Sequence, residues 1–395
     1  MSKHSVFSAS SAERWINCPG SVHMASLFPE TTTEAAEEGR FAHEVAALEI
    51  ALRCQSLDPN EYKYLMPPLK KQIGEFYDEH KSLGGSYEFM ARTLEPYIDF
   101  VNSTYQDVLR IDPAAVILTE QRVNYSDVVR DGFGTADVVI IGAGRVTVID
   151  LKYGKGVPVS AKDNPQIRLY AIGAIFEFDL VYDFDRVKMV IYQPRLDSVT
   201  EEELPVDDLK AWAKAVVGPA AAKAASDNPP YHPGEWCSSH FCPGAGVCKA
   251  RAEYVLALER HAGKDPALLT DEQLSDALTR AEILQKWAKA LNNYALGEIQ
   301  TGHPIPGWKI VEGRSVRVYT DQDKVVDAAK KAGYDEALLF QRSLIGITDM
   351  EKLMGKKKFK EILGSLVEKP KGAPKLAPES DKREAFNPAA TDFAD

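Results

Sequence analysis

The chain has 395 residues, 45% of them hydrophobic and 27% charged, enough to bury one large core or two to three smaller ones. No apolar run reaches the roughly 18 residues that span a bilayer. The leading MSKHSVFSASSAERW has no stretch of export-signal type, so a cytoplasmic protein without a membrane partner is expected. The formal net charge of -11 weighs against a broad, non-specific nucleic-acid binder. It is compatible with a carboxylate-rich metal site beside a local basic surface.

Residues 1–30 read as an irregular leading segment that holds Trp15 and Cys18. Glu34–Arg53 is rich in helix formers and free of proline, which predicts a helix. A second helix is expected over Phe89–Leu109. The period then changes. Val116–Val123, Gly134–Ile141 and Val146–Tyr153 are short, β-branched and bounded by turn residues, with Gly142-Ala143-Gly144 the clearest hairpin signal. A helix over Asn164–Phe178, a strand over Val187–Gln193 and a helix over Val206–Ala225 follow. This order predicts an α/β core with a mixed sheet flanked by helices. Asn228–Gly246 is punctuated by Pro and Gly and carries cysteines. Arg251–Thr301 reads as helical, 308–319 as a hairpin, and short helices run on to Leu366. From Glu368 the composition of Pro, Lys, Asp and Ala predicts disorder.

The segment GTADVVIIGAGRVTVIDLKYGKG concentrates the chemistry. Alternate residues of a strand share a face, so Asp150 and Lys152 project together, in line with Val146 and Val148. Asp137, on the preceding strand of the hairpin, comes alongside them. Two carboxylates and an ammonium so placed suit phosphodiester hydrolysis. The carboxylates hold Mg²⁺ or Mn²⁺, which activates water and neutralises charge on the phosphorane. The lysine orients the attacking water or stabilises developing charge. Standing alone, an Asp-Leu-Lys is more often a charged edge strand that resists aggregation.

The company of these residues is more specific. Gly134-Thr135-Ala136-Asp137, then Asp150-Leu151-Lys152, then Gln166-Ile167-Arg168-Leu169-Tyr170 resemble, in order, the G-x-x-D, (D/E)-x-K and Q-x-x-x-Y motifs of RecB-like nucleases of the PD-(D/E)XK superfamily. Gln166 and Tyr170, four apart, share a helix face. The resemblance implies a restriction-endonuclease-like core and a Mg²⁺- or Mn²⁺-dependent deoxyribonuclease, an exonuclease or end-processing enzyme. It implies metal ligands at His43, Asp137 and Asp150, and catalytic roles for Asp137, Asp150, Lys152, Glu120, Gln166 and Tyr170. His43, in GRFAHEVA, matches the helix-borne histidine of these nucleases, and Glu120 matches an acidic residue on the strand before G-x-x-D.

Five cysteines without an export signal argue against a disulfide framework. Cys237, Cys242 and Cys248 fall within twelve residues, and Cys18 lies far upstream. One cysteine before the core and three after it resembles AddB-type nucleases and CRISPR adaptation nucleases, which implies a [4Fe–4S] cluster pinning the two ends of the domain together. Four residues rather than two separate the first pair, and with His240 between them Zn²⁺ remains the alternative. Cys54 is assigned to packing, and Trp15 and Trp236 to shielding the cysteines.

The layout, including the SDKREAF tail, also resembles a phage and prophage protein family of unassigned function. The expected organisation is a nuclease domain over 1–255, a mainly helical region over 256–367 and a disordered tail over 368–395. The implied partners are DNA, single-stranded or with free ends, and phage recombination or replication proteins. The competing readings are a non-catalytic DNA-binding or interaction module on the same scaffold, and a zinc-stabilised interaction protein. The basic run Lys352–Lys360 reads as a solvated helix face rather than a DNA contact.

Overall fold

The computed structural model of the chain describes residues 5–29, 32–258, 269–313, 318–339, 346–368 and 372–378. The backbone divides into two units, Met1–Trp287 and Ala288–Asp395.

In the first unit the leading segment is more regular than expected. It forms α1 (Ala12–Asn17) and α2 (Gly20–Ser26). Three long helices follow: α3 (Glu34–Arg53), α4 (Pro59–Glu79) and α5 (Tyr87–Ile111). Thr33 caps α3 by accepting from the Ala36 N–H, with Glu34 and Glu37 in the first turn facing the positive end of the helix dipole. Helix α4 begins on an Asp58 cap with Pro59 in its first turn, and carries Pro67 and Pro68 inside. That proline pair hides the helix from sequence reading, since each proline removes a backbone donor.

The sheet has five strands in the order β1-β2-β3-β4-β5. Strands β1 (Val116–Asn124), β2 (Phe133–Gly142) and β3 (Arg145–Leu151) run antiparallel in succession. Helix α6 (Pro165–Phe178) then crosses over to β4 (Arg186–Gln193), parallel to β3, and β5 (Ser198–Pro205) adds the antiparallel edge. The β2–β3 turn uses Ala143 and Gly144, both at positive φ, as a two-residue hairpin loop requires. Asp112 steadies it by accepting from the Ala143 N–H at 2.9 Å. Strand β5 was not evident from sequence. Over its Glu201-Glu202-Glu203 run, alternating exposure shows a charged edge strand.

Apolar residues leave the sheet on both faces. Val146, Val148, Val187 and Met189 pack against α6 and Trp15. Ile149, Leu151, Val190 and Tyr192 pack against Phe41, Ile50, Leu94 and Ile98 from α3 and α5. The sheet is therefore sandwiched between helices. Helix α6 is buried almost all round, the expected pattern for a helix enclosed by other elements. Its polar residue Gln166 sits in the first turn, where Asn164 accepts from the Gln166 and Ile167 N–H groups. After the sheet come α7 (Val206–Trp212), a π-helical turn over Ala213–Val217, α8 (Gly218–Ala224), α9 (Trp236–Ser239), α10 (Lys249–Leu256) and the first part of α11 (Asp271–Gln300).

Among its described residues the second unit has the rest of α11, two small strand pairs and three further α-helices. Strand β6 (Trp308–Gly313) pairs with β9 (Gly372–Pro378), and β7 (Val318–Tyr319) with β8 (Val367–Glu368). The expected 308–319 hairpin is thus not formed; each half finds a partner near the end of the chain. The same pairing corrects the expected disorder from Glu368, because main-chain hydrogen bonding does not depend on hydrophobic composition. Residues 379–395 of that expected tail lie outside the described residues. Helices α12 (Gln322–Lys331), α13 (Ile347–Met354) and α14 (Lys356–Leu363) enclose Val325, Ala329, Met350, Phe359 and Leu363. Lys356, Lys357, Lys358 and Lys360 are exposed opposite buried Phe359, a solvated face. Among the described residues no helix is long and apolar enough to cross a membrane.

Candidate functional site

Strand pairing delivers the acidic residues to one place. On β1 and β2 the register runs Thr119↔Val138 and Gln121↔Ala136, so Glu120 stands opposite Asp137 without entering the ladder. Glu120 has φ +49°, a left-handed conformation rare for a non-glycine residue. The side-chain alternation slips there. Ile117 and Val138 face the α3–α5 core, whereas Val123 and Ala136 face α6. The bend leaves Glu120 and Asp137 together, near His43 on α3. Ligand atoms of His43, Glu120 and Asp137 lie within 4.8 Å of one another, the one such set of three among the described residues.

Helix α3 is held over this point by a buried network. Glu38 accepts from Arg195 at 2.9 Å and from the Tyr77 hydroxyl at 2.9 Å, tying α3 to the end of β4 and to α4. His43 Nδ1 then meets Asp137 Oδ1 at 3.0 Å, while Asp137 Oδ2 accepts from the Leu151 N–H at 2.7 Å. That last bond links β2 to the strand bearing Asp150.

A second network sits beside the first. Asp150 is 2% exposed. Its Oδ2 lies 3.0 Å from Lys152 Nζ, and its Oδ1 accepts from Lys152 at 3.3 Å and from Gln166 Nε2 at 3.4 Å. Lys152 also donates to Gln166 Oε1 at 2.9 Å, and Gln166 Nε2 donates to the Tyr170 hydroxyl at 3.2 Å. Gly134 explains its own place: a Cβ there would stand 2.6 Å from Tyr170 Cε1. The structure therefore brings together all seven sequence-derived residues. It differs in grouping, since Glu120 rather than Asp150 completes the closest triad with His43 and Asp137.

Three carboxylates face two cations here, and the titration of each group reflects it. Burial disfavours the His43 imidazolium, but Asp137, by charge and hydrogen bond, with Asp150 and Glu120, raises its pKa to about 9. Burial, with Asp137 adding repulsion, raises Glu120 to about 7. Burial also raises Asp150, against the pull of Lys152.

Tyr97 was missed. It is 1% exposed, lines the same pocket as His43, Glu120 and Asp137, and its hydroxyl has no hydrogen-bond partner among the described residues. As a core residue of α5 with its ring edge-on to Tyr192, it carries no sequence signal of its own.

Cys18, Cys237, Cys242 and Cys248 line a second pocket with Arg14, Tyr231 and Trp236. Two distant segments meet there. Gly20 N–H donates to Pro230 O at 2.8 Å, and the His232 N–H points at Cys18 Sγ at 3.3 Å. A Cβ at Gly20 would lie 2.7 Å from the Tyr231 ring, so only glycine allows this approach. All four thiols are free, and no three sulfurs close to the separation of the His43 triad. Burial pushes the Cys242 thiol up to about 11 and raises Cys18 and Cys237. Of the two tryptophans, Trp236 borders the pocket and Trp15 is turned into the α6-side core. Cys54 stands apart, 3.8 Å from Asn102 Oδ1 and packed against the α3–α5 core.

A solved protein described as "Crystal structure of SSO0001" is 19% identical, with 46% of this chain and 81% of that one covered. Its TM-score of 0.21 is too low to define a shared fold. Over residues 4–384 the chain matches the family described as "Protein of unknown function (DUF2800)", and it belongs to that family.

Proposed function

We propose that the chain is a divalent-metal-dependent deoxyribonuclease with a RecB-like PD-(D/E)XK core, acting on DNA ends. The observation that carries this reading is the junction of the two networks. The His43–Glu120–Asp137 triad adjoins Asp150–Lys152–Gln166–Tyr170 through the Asp137–Leu151 hydrogen bond.

His43, Glu120 and Asp137 offer one nitrogen and carboxylate oxygens, a donor set suited to Mn²⁺ or Mg²⁺. Asp150 completes it on the β3 side. When bound, the cation supplies Lewis-acid stabilisation of the phosphoryl group and lowers the pKa of water. Lys152, held by Asp150 and Gln166, is placed to orient the nucleophile and to offset charge developing on phosphate oxygen. Gln166 is fixed in turn by Tyr170, so the Q-x-x-x-Y face acts by positioning the lysine. The unpartnered Tyr97 hydroxyl is a donor facing the same pocket.

The four cysteines fit a thiolate-held metal centre: they come from two distant segments, share one pocket and have an amide N–H at one sulfur. A zinc ion with Zn–S near 2.3 Å requires sulfurs about 3.8 Å apart. A [4Fe–4S] cluster spreads them wider. The centre ties Cys18 to a segment more than two hundred residues away, a long loop whose closure by chain entropy alone is costly.

The test compares wild type with Lys152→Met and with Asp137→Asn on end-labelled DNA with Mg²⁺ or Mn²⁺, with circular dichroism as a check on folding. Both variants are expected to lose cleavage by at least about 10²-fold. Undiminished cleavage by folded variants contradicts the assignment of the site.

A further inference from the structure

We propose that Arg251 and Arg14 are the counter-charges of a dianionic, thiolate-held centre at Cys18, Cys237, Cys242 and Cys248, and that they govern how tightly that centre is retained. The inference rests on reading those cysteines as ligands of one metal centre.

Arg251 is the anomaly that prompts it. Its side chain is 0% exposed, among the largest fully buried in the protein. A guanidinium removed from water is expected to be paired with an acid. Arg251 is not. Its partners among the described residues are neutral: the Ala245 carbonyl at 3.1 Å and Ser238 Oγ at 2.6 Å, while Nε has none. Both partners belong to the cysteine segment; Ala245 lines the pocket of the four thiols and Ser238 follows Cys237.

Arg14 repeats the pattern from the other side. It lines the same pocket and donates to the carbonyls of His240 and Phe241, with no carboxylate partner among the described residues and with Nε unsatisfied. Each arginine lies within electrostatic reach of a ligand sulfur, Arg251 of Cys237 and Arg14 of Cys242. Four thiolates around a doubly charged core, whether Zn²⁺ or oxidised [4Fe–4S], leave a net charge of minus two. One buried and one half-buried cation without acids match a dianion without cations of its own. Reduction of an iron–sulfur centre by one electron adds a third negative charge, which the same arginines would stabilise.

The experiment uses the metal-loaded full chain and the variants Arg251→Met, which keeps the volume and removes the charge, and Arg251→Lys, which keeps the charge. Iron and zinc are quantified, and metal loss to a chelator is followed by absorbance or by a colorimetric zinc indicator. Arg251→Met is expected to lose metal roughly 10- to 100-fold faster than wild type, and Arg251→Lys to lie close to wild type. If the centre is iron–sulfur, a dithionite titration should give Arg251→Met a more negative midpoint potential. The thermal midpoint of the metal-stripped protein should be unchanged or raised by Arg251→Met, since an uncompensated buried cation has been removed. A merely structural arginine would instead lower it in both forms.

Where Arg251→Met does not fold, the half-buried Arg14→Met and Arg14→Lys give the same comparison. Metal bound equally well by the Met variants and wild type overturns the proposal, as does equal loss from the Met and Lys variants. A wild-type chain that holds neither iron nor zinc overturns the cysteine reading itself, and with it this inference.

Discussion

Lys152 and Asp150 are coupled closely enough that their stability and catalytic roles separate in a single double-mutant cycle. Asp150 is 2% exposed and Lys152 Nζ lies 3.0 Å from it. Lys152→Met leaves a buried carboxylate whose remaining side-chain donor is Gln166 at 3.4 Å. Breaking a fully buried pair costs about 3–5 kcal/mol. The lysine side chain is about a quarter exposed, so water can replace part of the lost interaction and the expected cost is about 2 kcal/mol. Adding Asp150→Asn removes the stranded charge, and the double variant should recover to within about 1 kcal/mol of wild type. Cleavage should not recover if both groups serve the chemistry as proposed. The pH dependence has a defined sign. Burial raises Asp150 above its unfolded value against the pull of Lys152, so losing the lysine raises it further. The penalty in Lys152→Met is then larger at pH 8 than at pH 5, because lower pH favours the protonated, uncharged Asp150. Urea unfolding at both pH values, beside a nuclease assay, reads all of this. A single variant as stable as wild type at pH 8, or a double variant that still cuts DNA, refutes the coupling.

In the metal-free protein His43 is raised to about 9 and Glu120 to about 7, so a cation must displace protons to bind. Mn²⁺ affinity should climb by up to about tenfold per unit between pH 7 and 9, and level off above; a flat profile in a Mn²⁺ titration contradicts the ligand set. With His43 raised above its unfolded value, its contribution to stability is full below pH 6.5 and is lost as pH rises through 9. Chemical denaturation of the metal-free chain should show that loss, and His43→Ala should abolish it. Tyr97→Phe removes an orphaned buried hydroxyl, so stability should change by less than about 1 kcal/mol while cleavage falls about tenfold; unchanged cleavage removes Tyr97 from the site. Gly134→Ala places a Cβ 2.6 Å from Tyr170 Cε1, and the forced shift should cost about 1–3 kcal/mol in urea unfolding and weaken cleavage; a neutral variant shows that Tyr170 is not held there.

What was legible in the sequence follows from how local each signal is. Gly142-Ala143-Gly144 marks a turn between β-branched runs, and strand alternation then fixes Asp150 and Lys152 on one side. Gln166 and Tyr170 are readable because Asn164-Pro165 starts the helix that spaces them. The left-handed Glu120 was not readable, since no residue type at that position demands it. The bend it makes is what turns Glu120, Asp137 and His43 into the closest triad. Helix α4 was hidden by Pro67-Pro68 and strand β5 by its three glutamates. Strand β6 was misread as half of a local hairpin because its partner, β9, lies some sixty residues on. Tyr97 and Arg251 were invisible for another reason: each matters through what it lacks in the fold, a partner for a buried polar group.

The central claim is metal-dependent cutting of DNA ends. Its most direct measurement is digestion of end-labelled linear DNA and covalently closed circular DNA by the purified chain, with Mg²⁺ or Mn²⁺ and with chelator. The linear substrate should be degraded only with added metal, and the closed circle should persist. Linear DNA left intact at every metal concentration would contradict the nuclease reading.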